Sequence, residues 1–160
     1  VVRLKKERNV KMPKSENVDF SNLGHWTCPD NVEVFGDSNK EYFGMVYRIE
    51  LPNGLWYLGC KQFFSKKKLK PLKGMKRARR TVAESDWREY TSSSNIINDY
   101  ISKNGKVGIK FEILNLTRGG KFELKYCEMK HQVLQNCLFE EKSLNGIINV
   151  RLNKKKSFTF

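Results

Sequence analysis

The stretch between residues 43 and 59 constrains the fold more tightly than any other part of the chain. The odd positions Met45, Tyr47, Ile49 and Leu51 are apolar or aromatic, while Arg48 and Glu50 stand between them. A period of two is the pattern of a strand with one buried face. Pro52-Asn53-Gly54 is a turn signal, and Leu55-Trp56-Tyr57-Leu58-Gly59 reads as the returning strand of a hairpin. Loop length then decides where the side chains point. A three-residue loop pairs Leu51 with Leu55 and sets Tyr47 and Tyr57 on one face. A two-residue Asn-Gly turn shifts the register by one and sets them on opposite faces. Proline cannot donate to a ladder, which favours the three-residue loop.

The remaining pattern supplies the other elements. Ser94 is an N-cap for a helix over residues 95–103, with Ile96, Ile97, Tyr100 and Ile101 on one side and Asn104-Gly105 as its stop. Ile109, Phe111 and Ile113 alternate with Lys110 and Glu112 as a third strand, Gly119-Gly120 is a turn, and a helix is predicted over 122–139. Leu144 begins a short strand that leads to a basic tail, Lys154–Lys156. The order strand, strand, helix, strand, helix predicts an α+β domain, a small antiparallel β-sheet of about three strands flanked by helices. With 160 residues there is room for one ordinary domain. The expected division is a basic N-terminal extension over 1–40, the domain proper over 41–152, and a basic tail over 153–160.

Charge narrows the partner. The formal net charge is +14, which points to a polyanion, nucleic acid ahead of an acidic membrane surface. No apolar run approaches the ~20 residues of a membrane span, and no signal-peptide pattern is visible. Between residues 65 and 80 stand Lys66, Lys67, Lys68, Lys70, Lys73, Lys76, Arg77, Arg79 and Arg80, with no acidic residue among them. Pro71 and Gly74 interrupt any continuous helix there, so the run reads as an extended loop or a short broken helix that meets phosphate. A basic arm (Arg3, Lys5, Lys6, Arg8, Lys11 and Lys14) fits the same role, whereas Phe20, Trp26 and Phe35 read as aromatics docked on the domain. The four cysteines, Cys28, Cys60, Cys127 and Cys137, form no C-x-x-C pair. A reducing cytoplasm is therefore expected rather than a disulfide framework. His25 with Cys28, and Cys127 with His131, read as core or incidental residues rather than zinc ligands.

Certain of these residues resemble a known family. Gly44-Met45-Val46-Tyr47 and Tyr57-Leu58-Gly59, with tyrosines ten residues apart across a hairpin, are similar to the two signature motifs of GIY-YIG endonucleases. Glu84–Tyr90 followed by Ser92-Ser93-Ser94 resembles phage-encoded members, including free-standing homing endonucleases. Tyr126-Cys127-Glu128 with Gln132 resembles the family's metal-binding helix, and Asn145–Asn149 its asparagine-containing terminal segment. The resemblance covers residues 43–152.

What this implies is a metal-dependent endonuclease acting on double-stranded DNA, of phage or mobile-element origin, working in the host-cell cytoplasm. Cleavage would be direct hydrolysis leaving 5′-phosphate and 3′-hydroxyl ends. Glu128 would be the single side-chain ligand of Mg2+ or Mn2+, a cation that accepts one carboxylate with waters and substrate oxygens. Tyr47 would relay the proton and Tyr57 would position the water or phosphate. The arginine on the scissile phosphate would be Arg77, with Arg79, Arg80 and Arg88 as alternatives. Lys67, or Lys61, would assist, and Asn145, with Asn149 as its competitor, would support the site. Lys66, Lys68, Lys70, Lys73, Lys76, Arg79, Arg80 and Arg88 would bind DNA. Trp87 reads as core filling. Specificity would come from the charge run, the arm or a partner protein, and the oligomeric state stays open. The alternative is a non-catalytic basic nucleic-acid-binding or assembly protein that keeps the fold.

Overall fold

The computed structural model describes residues 18–148. Its hairpin consists of β2 (Tyr42–Glu50) and β3 (Trp56–Gln62), with Ile49 opposite Tyr57 and Tyr47 opposite Gly59. Leu51 N–H donates to Leu55 O at 2.8 Å and Gly54 N–H donates to Leu51 O at 2.9 Å, so Pro52, Asn53 and Gly54 form the loop. Gly54 takes a φ of 84°, which a side chain would resist. This is the register favoured by proline's missing donor. It places Tyr47 and Tyr57 in one core cluster with ring centroids 6.4 Å apart.

Two further strands complete the main sheet. They are β6 (Lys110–Arg118), antiparallel to β2, and β1 (Glu33–Phe35), parallel to β6. The order is β1-β6-β2-β3. The α+β class and the antiparallel trio match expectation, and β1 makes the sheet mixed. Residues 18–35 belong to the same core: Val18 and Trp26 are buried, and Thr27 exchanges backbone bonds of 2.8 Å with Phe111 and Ile113.

The sequence pattern implied one buried face, but both faces are covered. Met45, Tyr47, Ile49, Phe111, Ile113 and Leu116 pack on one side with Trp26, Phe63, Trp87 and Ile97 of helix α1 (Asn95–Asn104). Val46 on the other side packs against Leu124 and Cys127 of helix α2 (Lys121–Leu134). Arg48 also lies on the α2 side, 4.4 Å over the Trp56 ring and bonded to Gln135 Oε1 at 2.8 Å. A polar residue in the alternation therefore marked a half-buried contact under a helix, not an open face.

The basic run differs most from its expectation. Instead of a loop or broken helix it forms a second, two-stranded sheet, β4 (Phe64–Leu69) with β5 (Arg79–Glu84). Lysine is a poor strand former, but Thr81 and Val82 favour one, and the pairing is set by Phe64 opposite Glu84 and Lys66 opposite Val82. Pro71 and Gly74 lie in the connection between the strands.

Helix α2 stops at Leu134, short of the predicted 139. Asn136 adopts a φ of 50°, a left-handed turn that asparagine tolerates, and Cys137 N–H then donates to Gln132 O at 3.0 Å. The chain returns along the outer edge of β3. Trp56 N–H donates to Lys142 O at 2.9 Å and Leu144 N–H donates to Trp56 O at 2.7 Å. The basic arm, Asn149 and the tail Lys154–Lys156 lie outside the described residues.

Candidate active site

The edge of β3 is where the two sides of the sheet meet. Asn145 continues the edge pairing with its side chain. Leu58 N–H donates to Asn145 Oδ1 at 2.8 Å, and Asn145 Nδ2 donates to Leu58 O at 2.7 Å. One amide thus satisfies both backbone groups of a buried strand residue, as a neighbouring strand would. The arrangement holds a cavity of about 420 Å³ open beside β3. Tyr57 and Ser93 line it from the α1 side, Lys125, Glu128 and Gln132 from α2, and Asn145, Gly146 and Ile147 from the returning chain.

Each lining side chain has a definite setting. The Tyr57 hydroxyl lies 2.8 Å from Ser93 Oγ. Glu128 is 9% exposed, and its Oε2 accepts from Lys125 Nζ at 2.7 Å and from the Cys60 thiol at 3.2 Å. Burial, with the Glu128 charge beside it, pushes the Cys60 thiol up to about 12, so it stays protonated and donates. Burial pulls the Lys125 ammonium down, but its hydrogen bond to Glu128 and the nearby Cys60 and Glu128 outweigh this and raise it overall. Lys125 is the one cation among the residues lining this cavity.

Tyr47 lies behind this surface. It is 0% exposed, and its buried hydroxyl makes no hydrogen bond of good geometry among the described residues, with Tyr90 and Ser92 near enough to act on it weakly. A Cβ on Gly59 would stand 2.5 Å from Tyr47 Oη and 2.7 Å from its Cζ. Gly59 is thus the one residue type that lets the buried hydroxyl approach β3. Burial raises Tyr47 well above the usual tyrosine value, reinforced by Tyr90 and Tyr57. Burial also raises Tyr57, against the opposing effect of its Ser93 hydrogen bond. Neither is a phenolate at neutral pH, so the free chain offers no preformed tyrosinate base.

Tyr57, Glu128 and Asn145 therefore share one cavity, with Tyr47 packed against Tyr57 beneath it. The candidate arginines do not join them. Arg79 and Arg80 are on β5, Arg77 lies in the β4–β5 connection, and Lys67 sits opposite Thr81 on β4. Arg88, read from sequence as a DNA contact, is committed to the fold. Its Nε donates to Asn22 O at 2.6 Å, one terminal nitrogen donates to Asp19 O at 3.1 Å, and the other pairs with Glu84. The guanidinium also stacks 4.4 Å over Trp87, itself fully buried as expected. Lys61 is held by Asp86 at 2.7 Å and lies 3.8 Å over the Tyr90 ring. Sequence reasoning missed Lys125 and Ser93. The i, i+3 spacing of Lys125 to Glu128 was a readable signal for the first. Ser93 became legible only once the fold brought α1's leading loop to β3.

The donor set bears on which metal could bind. One carboxylate, the Gln132 amide one turn along α2 and the Tyr57 hydroxyl fit a hard cation that completes its shell with water and phosphate oxygens. Among the described residues no three of His, Cys, Asp and Glu converge to hold a metal, and Cys28, Cys60, Cys127 and Cys137 are all free thiols. His25 is half-buried, stacked on Phe111 at 4.0 Å with Nε2 3.0 Å from Tyr90 O and Nδ1 3.2 Å from Lys106 Nζ, a packing role rather than a metal ligand's.

The family model "Putative endonuclease segE, GIY-YIG domain" (SegE GIY-YIG) matches residues 26–150. The chain belongs to the GIY-YIG endonuclease domain family. The match begins at Trp26, the residue whose indole donates to Trp87 O at 2.6 Å in the core, so the family domain takes in part of the segment that sequence pattern had set apart. Neither a curated protein nor a solved structure matches the chain. No helix among the described residues is long and apolar enough to cross a membrane.

Proposed function

We propose that this GIY-YIG domain is a magnesium- or manganese-dependent endonuclease that hydrolyses phosphodiester bonds of double-stranded DNA in the host-cell cytoplasm, as a phage or mobile-element enzyme of the homing type. The observation that carries this reading is the convergence of Tyr57, Glu128 and Asn145 on one cavity, with Lys125 as its cation. Phosphodiester hydrolysis needs an oriented water, a cation for developing charge and donors that fix the phosphate. Glu128 would hold the metal ion, which when bound supplies Lewis acidity and a more acidic water. The Tyr57 hydroxyl, oriented by Ser93, would hold the water or a phosphate oxygen through a hydrogen bond. Tyr47 would present its hydroxyl from below, past Gly59. Tyr57 keeps the positioning role expected from sequence, while Tyr47, which does not line the cavity, would act on the site only through its contact with Tyr57 and Gly59. Asn145 would act by holding the β3 edge in place.

The hairpin β4–β5 would grip DNA through Lys66, Lys67, Lys68, Lys70, Lys73, Lys76, Arg77, Arg79 and Arg80. Lys68 stands directly opposite Arg80 in its ladder. Like charges in that position destabilise a hairpin, and a phosphate between them would remove the conflict. A partner protein or a second copy would add specificity and a second cut, since one such site severs one strand at a time.

Supercoiled plasmid incubated with the protein and Mg2+ should be nicked, and EDTA or Glu128→Ala should stop it. Equal nicking by the wild type and Glu128→Ala would remove the enzyme reading. Salt-sensitive DNA binding without metal-dependent product would leave the fold as a binding module.

A further inference from the structure

A second cavity of about 300 Å³ opens on the other side of Lys125, between β3 and the start of α2. Its lining contains three lysines, Lys61, Lys121 and Lys125, and no acidic residue. Around them stand the polar side chains of Gln62, Ser65 and Ser85, the Cys60 thiol, and an apolar floor that includes Leu124. The nearby acids are already engaged, Asp86 with Lys61 and Glu128 with Lys125. Lys121 is exposed and has no ion-pair partner among the described residues. Lys121 and Lys125 are four residues apart on α2, so both ammonium groups serve one face of that helix. Lys125 lines both cavities, so it is the wall they share.

We propose that this second cavity is a phosphodiester subsite, in which Lys61, Lys121 and Lys125 hold the backbone of a nucleic-acid strand beside the Tyr57–Glu128 cavity. The subsite deepens the endonuclease reading and rests on it for its position next to a cleaved bond. Lys61 is fixed in advance by Asp86 and the Tyr90 ring, and Lys121 is free to reach a phosphate. Lys125 stands between the two cavities with its ammonium 2.7 Å from Glu128 Oε2, and were Glu128 to hold a cation, this ammonium would be released to serve the strand. Ser65 lies on β4, where alternation puts Lys67 on its face, close enough to Asp86 to act on that carboxylate, so a backbone leaving the subsite on that side meets Lys67 next. The strand is thereby threaded from the basic hairpin along the seam of β3 and α2.

The test uses Lys121→Gln, at an exposed position whose loss should leave the fold intact. Binding of a duplex oligonucleotide is followed by fluorescence anisotropy in EDTA, across a salt series. Loss of one phosphate contact should make the slope of log K against log salt shallower by about 0.9 for a duplex. In parallel, with the nicked bond mapped using the wild type, a neutral methylphosphonate is placed at the adjacent phosphate. It should weaken the wild type by more than it weakens Lys121→Gln, which keeps only Lys61 and Lys125 there. An unchanged slope with Lys121→Gln overturns the subsite, even where the wild type nicks DNA normally. A shallower slope in a protein that nicks nothing with any metal keeps the subsite as a nucleic-acid contact and removes the nuclease reading instead.

Discussion

Replacing Tyr47 by phenylalanine separates a structural tyrosine from a functional one. The side chain is 0% exposed, and its ring packs at 5.0 Å from Trp26, 6.1 Å from Tyr90 and 6.4 Å from Tyr57. Phenylalanine keeps all of this packing and removes only the hydroxyl. A buried hydroxyl with a good partner contributes roughly 1 kcal/mol, and its loss shows as destabilisation of that size. Tyr47 Oη makes no hydrogen bond of good geometry among the described residues, although Tyr90 and Ser92 lie close enough to act on it, so the wild type bears part of the cost of an unsatisfied buried group, which is about 1–3 kcal/mol when complete. Tyr47→Phe should therefore be neutral or stabilising, with a gain of up to about 1–3 kcal/mol in urea unfolding. Nicking by the same variant should fall under the proposed role, in which the hydroxyl serves the reaction rather than the fold. A group that weakens the fold while serving the site is a familiar trade. Destabilisation of about 1 kcal/mol or more with full nicking activity would show that the hydroxyl is a satisfied core group, and the reasoning would fail.

Other outcomes follow from the same geometry. Gly59→Ala should destabilise by about 1–3 kcal/mol through overpacking, and by less in a Tyr47→Phe background, where the contact at 2.5 Å is gone but that at 2.7 Å remains; strictly additive melting shifts would contradict this. Asn145→Ala strands both Leu58 backbone groups, so unfolding should become easier by about 1–3 kcal/mol for each group left unpaired, and a variant as stable as the wild type would refute the edge-pairing role. Cys60 binds its proton more tightly folded than unfolded, so the folded state holds more protons as pH rises above the ordinary thiol value of 9.0 and stability should decline from there toward about 12. Cys60→Ala should flatten that decline, and an identical pH profile would exclude the assignment.

How much of this was legible beforehand depends on the range of the interactions. The hairpin register followed from Pro52 alone, because a missing N–H is a local fact. Helix α1 and strand β6 followed from short periodicities. The β4–β5 ladder was hidden because lysines carry no strand preference and its pairing joins residues on either side of a long connection. The same holds for Trp26, which is held by Trp87 and Phe111, far away in sequence. At the site, the tyrosines, Glu128 and Asn145 were found through motif order, and the structure gives Tyr57, Glu128 and Asn145 a common cavity. Arg88 misled because its charge is visible in sequence and its partners Asn22 and Asp19 contribute only backbone carbonyls. The resemblance implies an arginine at the site, while the cation lining this cavity is a lysine, Lys125.

The most direct test of the central claim compares Tyr57→Phe and Glu128→Gln with the wild type in single-turnover cleavage of a labelled duplex with Mg2+, alongside duplex binding in EDTA. Both variants should bind DNA as the wild type does and lose cleavage by at least about 100-fold, the scale of losing a group that acts in the transition state. Cleavage at wild-type rate by either variant, with folding and binding intact, would contradict the assignment of this cavity as the active site.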